Sequence, residues 1–376
     1  MSALTRTFML ALGLLVVLAA ETAIEANEKA PGRERLLYVA SPGVRNYLEW
    51  GGHGILVFAI DENHRFVKRI SLAGFGTDDE GHILNVKGVC ASARTGRLYV
   101  STYQHLISVD LLTDKVLWQE SFDRGCDRMS ISPDGETIYL PSLEKEVWYV
   151  VDAITGDELT RIEPRSKSHN TLYGLSGKRV YLAGLGSNRL TVATTDNHAI
   201  ERTVGPFGDK IRPFTLNGAE TLVFVNVDDL LGFEIGDLQT NRRIHRVEVQ
   251  GVPRGKPKRH GCPSHGIGLT PDEREIWLCD GFNKKLHFFD ATVMPPVQTG
   301  SISLRGQPGW VTFSIDGTLA YPSTGQVIDV ASRKILVALA DEENRPVQSE
   351  KLLEIDFVNG KPIANGDQFG YGRVRN

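Results

Sequence analysis

The sequence has little net charge and no long hydrophobic run. Its net charge is −4 over 376 residues, which gives no general attraction to nucleic acid or to anionic membranes. An apolar run extends from Phe8 to Ala20, but a membrane-spanning helix needs about 20 apolar residues. We therefore expect no nucleic-acid partner and no stable membrane span in the mature protein.

The N-terminal apolar run has the pattern of an export signal. Arg6 precedes the run, and small residues at its end allow cleavage after Ala19 or Ala20. We predict a signal peptide over residues 1–20, a polar tail over 21–35, and a periplasmic or secreted protein. An uncleaved membrane anchor is the alternative, because short anchors share this pattern.

Cysteine is scarce, and the motifs of common cofactors are absent. An even number of cysteines in an exported chain permits two disulfides, and buried free thiols are an equal alternative. The sequence contains no Cys-x-x-Cys-His motif, which excludes covalent c-type haem. It also lacks a His-Glu-x-x-His motif, a nucleophile elbow and a phosphate loop. The cofactor therefore stays unassigned. The four cysteines are Cys90, Cys126, Cys262 and Cys279.

Glycine, in contrast, is abundant, with 38 copies, and it marks a repeated hairpin. Each copy is an apolar strand, a short turn that often contains Asp-Gly, and a second apolar strand. The copies recur about every 40 residues, which with four short strands per unit is typical of a β-propeller. The turn markers are Gly96, Gly135, Gly177, Gly218, Glu273 and Gly317.

A seventh copy is divided between the two ends of the chain. Residues 36–41 resemble a second strand, and residues 352–361, with the turn Asn359-Gly360, supply the missing first strand. We predict an all-β, seven-bladed β-propeller over residues 36–361 with four-stranded antiparallel blades. Pairing of the N- and C-terminal strands closes the ring, and residues 362–376 form a C-terminal tail.

Acidic turns follow the third strand of several repeats. An aspartate and a nearby Thr or Ser can close such a turn through their own side chains. We therefore interpret these aspartates as structural. They include Asp110, Asp152, Asp290 and Asp329.

These turns and hairpins resemble the YVTN-type β-propeller repeat family, which includes YncE-like periplasmic proteins. The resemblance covers residues 35–361 and is carried by Ser-Pro-Asp-Gly at 132–135, Thr-Pro-Asp-Glu at 270–273 and Ser-Ile-Asp-Gly at 314–317. The namesake tetrapeptide occurs only in loose forms such as Tyr-Val-Ser-Thr at 99–102. The resemblance implies the propeller architecture and an exported location, and it implies no particular activity.

The mouth of the central channel is the expected ligand surface. Cations outnumber acids there, which favours an anionic ligand such as a carboxylate or a phosphate. The alternative is an internal ring of ion pairs around Asp127 and Glu354. Alignment of the repeats by their turns places these residues at the mouth: Lys87, Asp127, Arg128, His169, Asn170, Arg212, His265, Trp310 and Glu354.

Two loops border this mouth. The loop over residues 41–54 holds Arg45, Tyr47, Trp50 and His53, which either cap a ligand or pack the loop onto its blade. An insertion over residues 251–266 carries four basic residues, and it is either a solvated loop or a lid that attracts anions.

The insertion also contains a possible metal site. His260, Cys262 and His265 are ligand types that suit zinc or copper, and His53 or His169 could join them across the channel. The alternative is that these side chains bind no metal.

The sequence favours a binding or scaffold protein that holds a small anionic ligand or a partner protein in the channel. The alternative is a lactonase- or lyase-type propeller enzyme. In that case His265 is the first acid/base candidate and Glu354 the second, with Arg128 and Arg212 stabilising an anion. A third possibility is redox chemistry with a noncovalent haem or quinone.

Overall fold

The computed structural model describes residues 32–72, 80–81, 84–255, 257 and 259–374. The predicted signal peptide and the polar tail up to residue 31 lie outside these residues. Within the described ranges, the chain forms seven antiparallel sheets, six with four strands and one with five. This confirms the predicted all-β, seven-bladed β-propeller.

The N-terminal part contributes β1 (Arg33–Ser41), β2 (Gly54–Ala59), a 3₁₀ helix (Ile60–Glu62) and β3 (Arg65–Ile70). The next three blades contain β4 (Val86–Ser92), β5 (Arg97–Thr102), β6 (His105–Asp110) and β7 (Val116–Ser121); β8 (Ser130–Ile131), β9 (Thr137–Pro141), β10 (Trp148–Asp152) and β11 (Glu158–Ile162); and β12 (Ser168–Tyr173), β13 (Arg179–Gly184), β14 (Leu190–Thr194) and β15 (Ile200–Val204).

Three further blades contain β16 (Ile211–Leu216), β17 (Leu222–Val227), β18 (Gly232–Asp237) and β19 (Arg242–Glu248); β20 (Ser264–Leu269), β21 (Glu275–Asp280), β22 (Lys285–Asp290) and β23 (Val297–Ser303); and β24 (Val311–Phe313), β25 (Leu319–Pro322), β26 (Gln326–Asp329) and β27 (Ile335–Ala338). The chain then forms β28 (Leu352–Val358) and β29 (Lys361–Asn365).

The first strand of each blade lies next to the central axis. These strands contact one another in a closed cycle, in the order β4, β8, β12, β16, β20, β24, β28 and back to β4. The last strand of each blade is largely exposed, as in β7 and β23, whereas the strands between are buried on both faces. Valine, isoleucine and tyrosine fill these middle strands because they suit a pleated, buried surface.

The two ends of the chain close the ring as predicted. β28 pairs antiparallel with β1, with Leu36 opposite Ile355 and Tyr38 opposite Leu353. Apolar side chains of both strands join one buried cluster with the following blade. The sheet begins at Arg33 and continues to Asn365, so it extends beyond the predicted limits of 36 and 361 at both ends.

The Asn359-Gly360 turn has a different role from the one predicted. It joins β28 to β29, a fifth strand that pairs with β28. In the other blades the equivalent-looking turn joins the first strand to the second. Here these two strands come from opposite ends of the chain, so no turn connects them.

The C-terminal segment crosses the axis below the first strands instead of leaving the fold as a tail. The Gln368 side chain accepts a hydrogen bond from Val89 N at 3.1 Å. Gly370 O accepts hydrogen bonds from Thr215 Oγ1 at 2.9 Å and from Leu269 N at 2.8 Å. Phe369 is buried against Trp310. Backbone groups that would otherwise end in the channel are paired in this way.

The predicted turn chemistry is present, with one shift. The φ angle is positive at Gly96, Gly135, Gly177, Glu273 and Gly317, as a tight hairpin requires. In the turn marked by Gly218, the positive φ belongs to Glu220, at 54°.

The acidic turns are closed by their own side chains. Asp110 Oδ1 accepts hydrogen bonds from Leu112 N and Thr113 N at 3.0 and 2.8 Å, and Asp152, Asp290 and Asp329 accept similar bonds from residues that follow them.

The four cysteines are buried free thiols. Within the described ranges, no helix has the length and apolar character that a membrane crossing requires.

Candidate functional site

A wide funnel opens where the first strands of the blades begin. Its cavity of 980 Å³ lies within the described residues and is lined by the beginnings of the first strands, the ends of second strands and two loops. Of the predicted mouth residues, five line this cavity: Lys87, Arg128, His169, Arg212 and His265.

Asp127 lies behind the wall of the funnel, fully buried, and holds three basic groups. Its carboxylate is 2.6 Å from His169 Nδ1, 3.6 Å from Lys87 Nζ and 3.9 Å from Arg128 Nη1. Burial raises the pKa of Asp127, but Lys87, His169 and Arg128 outweigh it and lower that pKa to about 2. Asp127 therefore forms ion pairs with these groups, but Glu354, the second acid of the predicted ring of ion pairs, is paired with Arg35 instead.

Trp310 does not line the funnel but lies buried against Arg128, which does. The Arg128 guanidinium lies 4.5 Å from the centre of the Trp310 ring, a cation–π contact. The indole N–H donates to Gln368 O of the C-terminal segment. Trp310 thus links Arg128 of the funnel wall to the segment that carries Gln368.

Two predicted residues lie elsewhere. Glu354 is buried in β28 and accepts hydrogen bonds from Arg35 Nε and Ile315 N, both at 2.7 Å. Burial raises the pKa of Glu354 to about 7, although Arg35 opposes this. His53 lies in the loop before β2 but outside the cavity lining, where its backbone oxygen accepts from Arg69.

Glu350 occupies the mouth position that the turn alignment gave to Glu354. The predicted position is four residues too late in the chain. Asn359-Gly360 joins β28 to the extra strand β29, so this turn is not equivalent to the turns from which the other mouth residues were counted. Counting from the start of β28 would have found Glu350 and Lys351, since mouth residues directly precede or begin the first strand in other blades.

Glu350 and Lys351 form a second buried ion network. Arg128 Nη2 lies 2.5 Å and Lys351 Nζ 3.0 Å from Glu350 Oε2. Burial opposes the charge of Glu350, but Lys351, His260 and Arg128 hold its pKa well below the usual range. Burial lowers the pKa of Lys351 to about 7, although Glu350 opposes this.

The two bordering loops pack against each other at the edge of the funnel. The Arg259 guanidinium lies over Tyr47 and Trp50, 5.8 and 5.5 Å from the ring centres. Arg45 Nη2 donates to Arg259 O at 2.8 Å. Because Arg45, Arg259 and His260 line the cavity, the insertion and the aromatic loop jointly form one side of the mouth.

His260, His265 and Glu350 form a cluster of possible metal ligands. One donor atom from each lies within 4.8 Å of the others. Cys262 is outside this cluster; its thiol donates to Ser264 O at 3.0 Å, and burial raises its pKa to about 12.

Burial lowers the pKa of both imidazoles. The pKa of His260 falls to about 4 and that of His265 lies well below its usual value, with His260 adding to the effect at His265. A general base works best with a pKa near the working pH. His265 is therefore better suited to coordination or hydrogen bonding than to taking up a proton.

The funnel as a whole is strongly basic. Nine Lys or Arg side chains and three carboxylates are among the described residues that line it. Some cations are held by acids, as Arg212 is by Asp228. Lys145 and Lys167 lie at the exposed rim, as does Arg124, whose Nε is 3.8 Å from Asp123. A concave surface with this excess of cations attracts and retains anions.

Comparison with known proteins adds only a remote likeness of fold. No family model and no curated protein sequence matches the chain. Among solved structures, it is similar to Kuenenia stuttgartiensis hydrazine synthase, with 13% identity and a TM-score of 0.46 over 71% of this chain and 100% of that chain. Values this low support no inference about function. The propeller is shown by the seven sheets themselves, and the YVTN-type resemblance stays a prediction.

Proposed function

We propose that this chain is an exported binding protein that holds a small anionic ligand, a carboxylate or a phosphate, in its funnel. The observation that carries the proposal is that, of the described residues, nine with cationic side chains and three with carboxylates line this 980 Å³ cavity. Cavities of about 300–1,000 Å³ are typical of small-ligand sites. The signal-like pattern over residues 1–20 supports export.

The funnel has exposed cations at its rim and buried cations further inside, an arrangement that suits attraction of an anion followed by its binding. Rim cations such as Lys145 and Lys167 are exposed and would draw anions toward the mouth. Lys87 is 13% exposed at the side chain and Arg128 4%. Hydrogen bonds from such partly dehydrated cations to an anion are stronger than those made at the surface.

The ion pair already present does not satisfy Lys87 fully. Lys87 Nζ is 3.6 Å from Asp127, longer than a strong hydrogen bond. The Lys87 ammonium group therefore has N–H donors that an anion in the funnel can occupy.

The test is calorimetric titration of the full chain with inorganic phosphate and with citrate, in metal-free buffer of low ionic strength. The double variant Lys87→Gln/Lys167→Gln should bind the anion at least about tenfold more weakly, because a hydrogen bond to a charged group contributes about 1.5–3 kcal/mol. The matched control Lys178→Gln/Lys361→Gln changes two exposed lysines that do not line the funnel and should bind as the wild type does.

Glucose at equal concentration is the neutral comparison and should not bind. The proposal is wrong if neither anion binds, or if the double variant keeps wild-type affinity. In the first case, a partner protein becomes the better candidate for the occupant of the funnel.

A further inference from the structure

Three side chains at one side of the funnel bring metal-binding atoms together. His260, His265 and Glu350 each offer one donor atom within 4.8 Å of the other two. The two imidazole rings are stacked, with centres 4.2 Å apart and planes inclined by 22°. His260 and His265 come from the insertion and the start of β20, and Glu350 lies two residues before β28, so the donors meet because the blades are arranged around one axis.

Each of the two histidines has a ring nitrogen available to bind a metal ion. His265 Nδ1 lies 2.8 Å from Gly309 O. Since a carbonyl oxygen can only accept, Nδ1 carries the proton and Nε2 has the lone pair. His260 Nε2 lies 3.3 Å from Glu350 Oε1 and has no hydrogen-bond partner among the described residues. The His260 side chain is only 8% exposed, and a buried polar atom without a partner is unusual.

The carboxylate of Glu350 is oriented by its other oxygen. Arg128 and Lys351 both bond Oε2, which leaves Oε1 facing His260. Partners of this kind, which hold a ligand from behind, are a regular feature of metal sites. The nearby positive charges oppose a bound cation. Both cations are paired with Oε2 of Glu350, which offsets part of this charge.

The backbone at Gly309 allows these donors to approach closely. A Cβ atom at this position would lie 2.1 Å from His260 Nε2 and 2.3 Å from Glu350 Oε1. Such distances are far below van der Waals contact, so a larger residue would displace one donor or the other. The arrangement of His260 and Glu350 therefore depends on this glycine.

We propose that His260, His265 and Glu350 bind a divalent transition-metal ion of the zinc class. Two imidazoles and one carboxylate suit such an ion, and three protein ligands leave at least one coordination position open. His260, His265 and Glu350 all line the funnel. The ligand set differs from the one expected from sequence, since Glu350 replaces Cys262. The proposal goes beyond anion binding, because metal binding can be measured with no added anion in the funnel.

The experiment uses the full chain made without a polyhistidine tag. The protein is passed over a chelating resin, so that no chelator anion remains, and is then titrated with Zn²⁺ or Co²⁺. After gel filtration, the metal is measured by mass spectrometry. We expect about one ion per chain, as for a single three-ligand site. The Co²⁺ absorption spectrum should show visible bands and no thiolate-to-cobalt charge-transfer band, because no sulfur is a ligand.

Variants distinguish this ligand set from one that contains Cys262. Glu350→Gln and His260→Ala should each weaken Zn²⁺ binding at least about 100-fold, since even outer partners of a metal site contribute 10–100-fold. Gly309→Ala should weaken binding while it keeps all three ligands. Cys262→Ser and His105→Ala should bind Zn²⁺ as the wild type does; His105 lies in another blade and bonds Ser121.

The proposal fails if the wild type retains no metal, or if Glu350→Gln binds it unchanged. It also fails if Cys262→Ser loses the metal and a thiolate band is present, because Cys262 is then a ligand. Far-UV circular dichroism of the metal-free variants checks their fold, and the wild-type Co²⁺ spectrum decides the question if a variant does not fold. Phosphate binding in metal-free buffer is a separate measurement, so the two proposals can fail independently.

Discussion

Asp127 keeps a negative charge in a fully buried position because three basic groups surround it. Lys87, Arg128 and His169 face its carboxylate, and Cys126 precedes it in the chain. The folded protein thus holds the pKa of Asp127 at about 2, below the ordinary 3.8. A carboxyl group whose pKa is lower in the folded than in the unfolded protein stabilises the fold at pH values above its unfolded pKa. This contribution is lost as the pH falls toward the pKa of the folded protein.

Replacement of this residue should therefore remove a pH-dependent part of the stability. We expect Asp127→Asn to lower the free energy of unfolding at pH 7 by about 2 kcal/mol. Between about pH 4 and pH 2 the wild type should lose this contribution, which the variant lacks at every pH. The free energies of unfolding of the two proteins should therefore converge. Urea unfolding across this pH range measures both effects. Asp196→Asn, at an exposed loop position, should stay within about 0.5 kcal/mol of the wild type at pH 7.

At the scale of single elements, the hairpin turns set the period of the fold, but they are not equally constrained. Gly96 and Gly135 both have positive φ, at 67° and 79°. A Cβ at Gly96 would meet nothing within 4 Å, whereas at Gly135 it would lie 2.2 Å from Ser92 Oγ. The first turn requires glycine for its backbone alone, and the second also requires it for the contact between neighbouring blades.

This difference predicts two different costs. Gly96→Ala should destabilise the protein by about 1–2 kcal/mol, the strain of placing an L-residue in a left-handed conformation. Gly135→Ala should cost more, because the methyl group must also displace Ser92. Denaturant unfolding of both variants measures the difference. Equal destabilisation by the two variants would contradict this expectation, because it would show that Ser92 moves aside at no cost in free energy.

At the scale of the whole molecule, the ring is joined twice by its C-terminal part. β28 pairs with β1 in the composite blade. The segment after β29 then crosses the axis and supports Trp310, with Phe369 only 3% exposed. This second connection joins the C-terminal segment to Trp310, which contacts Arg128 of the funnel wall.

Loss of this segment should weaken the entire propeller. We expect Phe369→Ala to cost about 3–5 kcal/mol, as for other buried aromatic residues, and truncation after Asn365 to lower the midpoint of thermal unfolding further. Calorimetry of both proteins measures this. Ile363→Ala is the control, because Ile363 is 55% exposed on β29 and should change stability by no more than about 0.5 kcal/mol. A truncated protein as stable as the wild type would contradict a structural role for the segment.

Much of the candidate site could be predicted from sequence because the repeat supplies a register. Lys87, Arg128, His169, Arg212 and His265 were all placed at the mouth by counting from their turns, and all line the cavity. Counting failed in the composite blade, where Glu354 pairs with Arg35 instead. There the first two strands share no turn, so the register depends on their pairing and not on a local signal.

The sequence by itself determined the number of blades, the turn chemistry and the closure of the ring. Each of these depends on local signals that recur with a fixed period, namely strand patterns, residues that accept positive φ, and aspartates that close their own turns. Tertiary structure decided that Glu350 and Lys351 enter the funnel, that Cys262 stands apart from His260 and His265, and that the C-terminal segment packs against Trp310. The first and last of these features join residues far apart in the chain, and their geometry arises only when the blades are assembled around one axis. The position of Cys262 depends instead on how the insertion folds, because its thiol bonds Ser264 O.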